Sequence, residues 1–153
     1  VQEVVGETKL ETIFSLTDAL KNKNPHKALQ ILQNQLDHGE EPIKILGTIA
    51  WQFRVIWEVK HYQQRNIPSG QIAKAMGANP FVVEKALQHT KRFSIQQLRR
   101  SYSQLTQADR SLKSTSQDPV SVMQTLILGL TATKQAKITL LPRAKLHPQG
   151  EIS

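Results

Sequence analysis

The sequence contains no cysteine, so it can form neither a disulfide framework nor a thiolate zinc site. That absence suits a reducing compartment, and we expect a cytoplasmic protein. No apolar run approaches the roughly 20 residues that a membrane-spanning helix needs. The first residues carry neither a basic segment nor an apolar segment after it, and therefore predict no signal peptide. Because the chain does not begin with methionine, we expect it to be part of a longer protein.

The length of the chain and its proportions of hydrophobic and charged residues predict one soluble domain. The chain has 153 residues, of which 39% are hydrophobic and 21% are charged, and these proportions are typical of globular proteins. A domain of this size buries roughly 68–70% of its unfolded surface, so its core needs no metal or disulfide. Between residues 9 and 135 no segment alternates with the two-residue period of a strand.

Apolar residues instead recur with helical spacing over most of the chain. This pattern predicts an all-α bundle of about five to seven helices joined by short loops. The longest predicted helix runs from residue 42 to about 65 and forms the spine of the core. We predict three aromatic core anchors, which are Phe53, Trp57 and Phe81. Residues 1–8 are interpreted as the end of a preceding domain or a linker, 9–135 as the helical domain and 136–153 as a flexible tail.

Helix boundaries are marked by local signals. Asn24 and Asp118 each precede a proline, which predicts an N-cap followed by a first-turn proline. Ser94 and the glutamine three residues later predict a capping box. Gly39 predicts a left-handed helix end, and Gly77 marks the end of a short helix.

The net charge of +8 is concentrated in the middle of the chain. Residues 60–113 carry ten basic and two acidic residues, whereas residues 1–59 carry six and eight. Such a block attracts a nucleic-acid backbone or an acidic partner, although a solvated helical face gives the same pattern. Six of its cations are expected to face outward: Lys85, Lys91, Arg92, Arg99, Arg100 and Arg110.

No catalytic, metal-binding or cofactor-binding signature emerges. The Lys-Ser-Thr run at 113–115 lacks the preceding glycines of a phosphate-binding loop. The five histidines show no i, i+4 pairing with one another, and we interpret them as solvated surface residues. Glu40 and Glu41 precede a helix, where acids stabilise the positive end of the helix dipole. We therefore predict no active site.

Residues 69–87 have the outline of a helix-turn-helix, which makes a nucleic-acid-binding domain the alternative function. That motif needs polar side chains at the start of its second helix to contact base edges. Here the second helix begins with Phe81, Val82 and Val83, and these residues favour a structural helical hairpin.

Asp109 stands out because it interrupts an apolar seam that includes Tyr102. A carboxylate is costly to bury without a partner. Lys113 lies four residues later, which predicts an intrahelical ion pair and a structural role for both residues.

Several short segments together resemble a known family. They are residues 13–20, 27–29, 39–42, 52–54, 79–85, 105–109 and 112–113, followed by the helix that begins with Asp118-Pro119. In this order and spacing they resemble the C-terminal domain of bacterial DNA polymerase III delta subunits, over about residues 9–131. The segments around Pro80-Phe81 and Asp109 to Lys113 favour delta over the related delta-prime and gamma/tau subunits.

The resemblance implies the collar domain of the clamp loader. In that family the C-terminal bundle joins the bundles of the other loader subunits, of gamma/tau and delta-prime type, into a circular collar. An N-terminal module, not present in this chain, opens the sliding clamp. The resemblance also implies that this segment is non-catalytic, and that any DNA-directed DNA polymerase activity belongs to the whole holoenzyme. Non-specific DNA contact by the basic block is a further expectation.

Overall fold

A computed structural model describes residues 7–132 of the chain, and their side chains from Phe14 onward. Every regular element in that range is an α-helix, and there are seven, which confirms the predicted fold class. The helices are α1 (Glu7–Lys21), α2 (Pro25–Asp37), α3 (Pro42–Gln64), α4 (Ser69–Met76), α5 (Pro80–Thr90), α6 (Ile95–Lys113) and α7 (Pro119–Thr131). The predicted linker at 1–8 and tail at 136–153 lie almost wholly outside the described residues.

The predicted helix starts are confirmed by side-chain caps. The backbone N–H of Lys27 donates to Asn24 Oδ1 at 3.0 Å, and that of Ser121 donates to Asp118 Oδ2 at 2.9 Å. At α6 the capping box is complete, since Ser94 and Gln97 each accept a bond from the other's backbone N–H. These bonds satisfy donors that have no partner inside the helix.

Four helix ends turn through a left-handed residue. The helix ends at Gly39 (φ 88°) and Gly77 (φ 66°) were predicted from sequence, but the left-handed Lys23 (φ 56°) and Asn66 (φ 63°) were not. At each end the next residue's N–H reaches the carbonyl five positions back, as in the Schellman motif. These compact ends allow the short loops that hold seven helices in one bundle.

Helix α3 lies at the centre and packs against α1, α4, α5, α6 and α7. Phe53 on α3 is 2% exposed, which confirms it as a core anchor. Trp57 and Phe81 also pack against the core, but they are only partly buried, so their contribution is expected to be smaller than that of Phe53. The hydroxyl of Thr17 donates to the side-chain oxygen of Gln52, and this buried bond joins α1 to α3.

Candidate interaction surface

Five of the six basic residues that were expected to face outward are exposed. Lys91 and Arg92 lie in the turn between α5 and α6, while Arg99, Arg100 and Arg110 lie on α6. Arg99 and Arg110 are eleven residues apart, which is three helical turns, and so they share one face. Arg100 is rotated by 100° from Arg99, towards the side where Gln104 contacts α7.

Lys85 differs from the other five. Its side chain is partly buried, and its Nζ lies 5.8 Å from the centre of the Phe81 ring, a cation–π distance. The expectation that Lys85 faces freely outward was therefore wrong. It packs within the domain because Phe81 begins the same helix one turn earlier.

Two further cations in the basic block make contacts inside the domain. Lys113 Nζ lies 2.9 Å from Asp109 Oδ2, which confirms the predicted ion pair. Lys60 Nζ donates to the carbonyl of Thr90 at 2.9 Å, close to the negative end of the α5 dipole. Of the remaining exposed cations in the block, five lie on α6 and in the turn before it, while Arg65 lies at the end of α3 and Lys74 on α4.

A groove of about 410 Å³ runs between the first half of α3 and the second half of α6. It is bordered by the face of α6 that Arg99 and Arg110 share. Two of its lining residues are large, exposed hydrophobics: Ile43 is 41% exposed and Tyr102 is 45% exposed. The prediction that Tyr102 belongs to the buried seam was wrong, because its ring lies at the edge of α6, 6.2 Å from Trp57. The remaining lining residues are Leu46, Gly47, Ala50, Leu105, Thr106, Asp109 and Lys113.

One histidine contradicts the interpretation of all five as surface residues. His26, His38 and His61 are exposed, but His89 on α5 is 0% exposed. Its Nε2 lies 3.1 Å from Oδ1 of Asp18, so this close contact joins α5 to α1. The fifth, His147, lies outside the described residues.

The pairing with His89 affects the pKa of Asp18. Partial burial raises the pKa of the Asp18 carboxyl, but the neighbouring His89, Lys21 and Lys85 outweigh burial and leave the pKa below its ordinary 3.8. The pKa of Asp118 is also lowered, because the Ser121 N–H and hydroxyl donate to its carboxylate. Both pKa shifts have structural explanations. Asp18 pairs α1 with α5, and Asp118 is the N-cap of α7.

The second cavity, about 430 Å³, lies among α1, α2 and α3. It is lined by both aliphatic and polar side chains, and His38 in this lining bonds the Asn34 carbonyl near the end of α2 at 2.7 Å. Among residues 7–132, no three histidine or acidic side chains are grouped so that they could hold a metal ion.

The helix-turn-helix outline corresponds to α4 and α5. Val82 and Val83 are 5% and 2% exposed, so the start of the second helix packs into the core as its composition predicted. These side chains are not placed to contact base edges, and a groove-reading role for α5 has no support in the geometry.

The described part of the chain is thus an all-α domain whose distinctive surface is a basic helix face beside an apolar groove. No helix in this part of the chain is both long and apolar enough to cross a membrane.

Comparison with known proteins identifies the family. The family described as the DNA polymerase III delta subunit, C-terminal domain, matches residues 10–130. DNA polymerase III subunit delta of Bacillus subtilis is 31% identical over 130 residues, covering 85% of this chain and 38% of that protein. The solved structure of the B. subtilis DNA clamp loader delta protein matches with a TM-score of 0.73 and 32% identity, over 78% of this chain and 35% of that one.

The chain therefore belongs to the family formed by the C-terminal domains of DNA polymerase III delta subunits. It spans 38% of the length of the curated relative that it matches. The resemblance found in the sequence is confirmed, with nearly the same limits.

Proposed function

We propose that this chain is a non-catalytic oligomerisation module of the replication clamp loader. It joins delta to the other loader subunits, so that the sliding clamp can be loaded on primed DNA. The observation that carries the proposal is the family match over residues 10–130, supported by the fold shared with a clamp loader delta protein.

The proposed partners are loader subunits of gamma/tau and delta-prime type. Contact with the sliding clamp is assigned to a part of the delta subunit outside this chain, and polymerase activity to the holoenzyme. The proposed assembly of the clamp loader takes place in the cytoplasm.

Within this proposal, the exposed cations contact a neighbouring loader protein. The residues concerned are Lys91, Arg92, Arg99, Arg100 and Arg110, with Lys85 contributing through its packing on Phe81. A phosphate backbone is the other partner that such charge attracts, and its binding would weaken steeply with salt because counterions are released.

Size-exclusion chromatography of the chain mixed with the other loader subunits tests the proposal. We expect the chain to co-elute with them at near-physiological salt. If it elutes alone under conditions in which those subunits associate with full-length delta, the proposed function is wrong.

Reversing Arg99 and Arg100 to glutamate then separates the two partners of the basic surface. Lost assembly in the absence of DNA indicates a contact between loader proteins, whereas intact assembly with weakened DNA binding indicates phosphates. Sequence-specific binding of duplex DNA by the chain alone would restore the helix-turn-helix alternative.

A further inference from the structure

We propose that the groove between α3 and α6 receives an amphipathic helix of the adjacent loader protein, with acidic residues along one flank of that helix. This inference rests on the proposed assembly function and assigns it to a particular surface. The argument uses the apolar floor of the groove, the small residues along it and the charge of its border.

The floor of the groove is apolar although it is exposed to solvent. Within the described residues only three large hydrophobic side chains are exposed, and two of them, Ile43 and Tyr102, line this groove. Leu46 and Leu105 lie beneath them and are buried in the core. An exposed apolar patch continuous with the core is typical of a protein–protein contact.

The shape of the groove suits a helix. Trp57, in the second half of α3, contacts Tyr102 near the middle of α6. The other lining residues lie before Trp57 on α3 and after Tyr102 on α6. The two helices therefore run antiparallel along the groove. Its lining from residue 102 to 113 extends about 16 Å, three turns of a helix.

Small residues along α3 allow a partner backbone to come close. Gly47 is exposed, and a Cβ added there would meet no atom within 4 Å. Ala50 follows one turn later in the same lining. The backbone of α3 is therefore accessible between Ile43 and the aromatic end of the groove.

The charge along the α6 border selects an acidic partner. Arg99 lies three residues before Tyr102, and Arg110 lies four residues after Thr106, so both arginines neighbour the groove lining on the helix surface. Asp109 is the single acidic residue of α6, and it is already paired with Lys113. The border therefore presents two exposed arginines without an acidic counterpart on the same helix.

Apolar floor and basic border together favour a protein helix over a nucleic acid. A phosphate backbone would neutralise the arginines but would leave Ile43 and Tyr102 exposed to water. An amphipathic helix covers the floor with its apolar stripe and places carboxylates opposite Arg99 and Arg110. Partly desolvated charge-assisted bonds of this kind add specificity to the apolar contact.

Two matched pairs of variants test the proposal, with the gamma/tau–delta-prime assembly lacking delta as the binding partner. Ile43→Asp places a charge in the groove, and Leu128→Asp makes the same change at a 50% exposed site on α7. Arg99→Glu reverses a border charge, and Lys74→Glu makes a comparable reversal at an exposed site on α4, outside the groove lining. Affinity is measured by isothermal titration calorimetry, and circular dichroism melts confirm that each variant is folded.

We expect Ile43→Asp to weaken binding by about tenfold or more, as changes at the centre of an interface do. Arg99→Glu should weaken it by about tenfold, because the reversal places a negative charge opposite the acidic flank of the partner. The two controls should stay within about threefold of the parent chain. Parental affinity in Ile43→Asp overturns the groove assignment while the assembly function stands. Failure of the parent chain itself to bind overturns the proposed function and the groove assignment with it. If Arg99→Glu instead binds the other loader proteins normally but lowers the affinity of the loader for primed DNA, the acidic-helix partner is wrong.

Discussion

Replacing Phe53 with alanine is the most direct test of how the bundle is held together. Phe53 is 2% exposed on the central helix, and its ring meets that of Phe93 edge-on at a centroid distance of 5.3 Å. Removing a buried phenyl group costs about 3–5 kcal/mol through lost transfer energy and the cavity that remains. The edge-on pair contributes about 0.5–1.5 kcal/mol of that loss.

The upper half of the range is expected because the site cannot easily collapse. Helix α3 contacts five other helices, and their opposing packing restricts any inward movement. Against a total stability of about 5–15 kcal/mol, a loss of about 4 kcal/mol leaves a marginal domain. The melting temperature should fall by on the order of 10 °C.

Phe81→Ala supplies the matched control. The ring of Phe81 is only partly buried, with Phe14 at a centroid distance of 6.4 Å and Lys85 on its other side. Because solvent can fill part of the vacated space, we expect a loss of about 1–2 kcal/mol. Urea unfolding followed by far-ultraviolet circular dichroism measures both variants. A cost for Phe53→Ala below about 1 kcal/mol, or equal costs for the two variants, would refute this account of the core.

Three smaller predictions concern the charged pair, the glycines and metal independence. Asp109→Asn removes an exposed i, i+4 pair with Lys113 and should lower the unfolding free energy by about 0.5 kcal/mol or less; a larger loss in urea melts would show that the pair is coupled to other groups. Gly77→Ala strains a left-handed helix end and should cost about 1 kcal/mol, whereas Gly47→Ala inside α3 should stabilise the domain by about 0.5–1 kcal/mol; the same sign for both would contradict the argument. A chelator should leave the circular dichroism melt of the mostly helical chain unchanged, and a shift would reveal a bound metal.

The helix limits could be predicted because their signals are local. The side chains of Asn24, Ser94 and Asp118 each accept a hydrogen bond from the backbone N–H three residues later. Both partners of each bond therefore lie in one short stretch of sequence. The ends at Lys23 and Asn66 escaped prediction for a related reason. A residue other than glycine is held in the left-handed conformation by the turn around it, and composition alone does not reveal that turn.

The surface was harder to predict than the helices. The six cations were recognised as one block, but periodicity alone did not separate Arg99 and Arg110 from Arg100, since the separation depends on where α3 and α7 lie. Lys85 was misplaced because the attraction of its ammonium to the Phe81 ring competes with hydration. The groove was missed altogether, since it exists only where Ile43 on α3 approaches Tyr102 on α6.

The contact between His89 and Asp18 shows the same limit and yields the final prediction. The two residues are 71 positions apart in the sequence, and a search for histidine spacing within one helix could not have joined them. The Asp18 pKa lies below its ordinary 3.8 in the folded chain. The ionised carboxylate therefore stabilises the fold above that ordinary value, and this stabilisation is lost as the pH falls through the folded pKa. We expect Asp18→Asn to unfold at lower urea concentration than the parent at neutral pH, and the difference to shrink as the pH falls below 3.8 and through the folded pKa. A difference that does not change with pH would mean that Asp18 acts through packing and not through its charge.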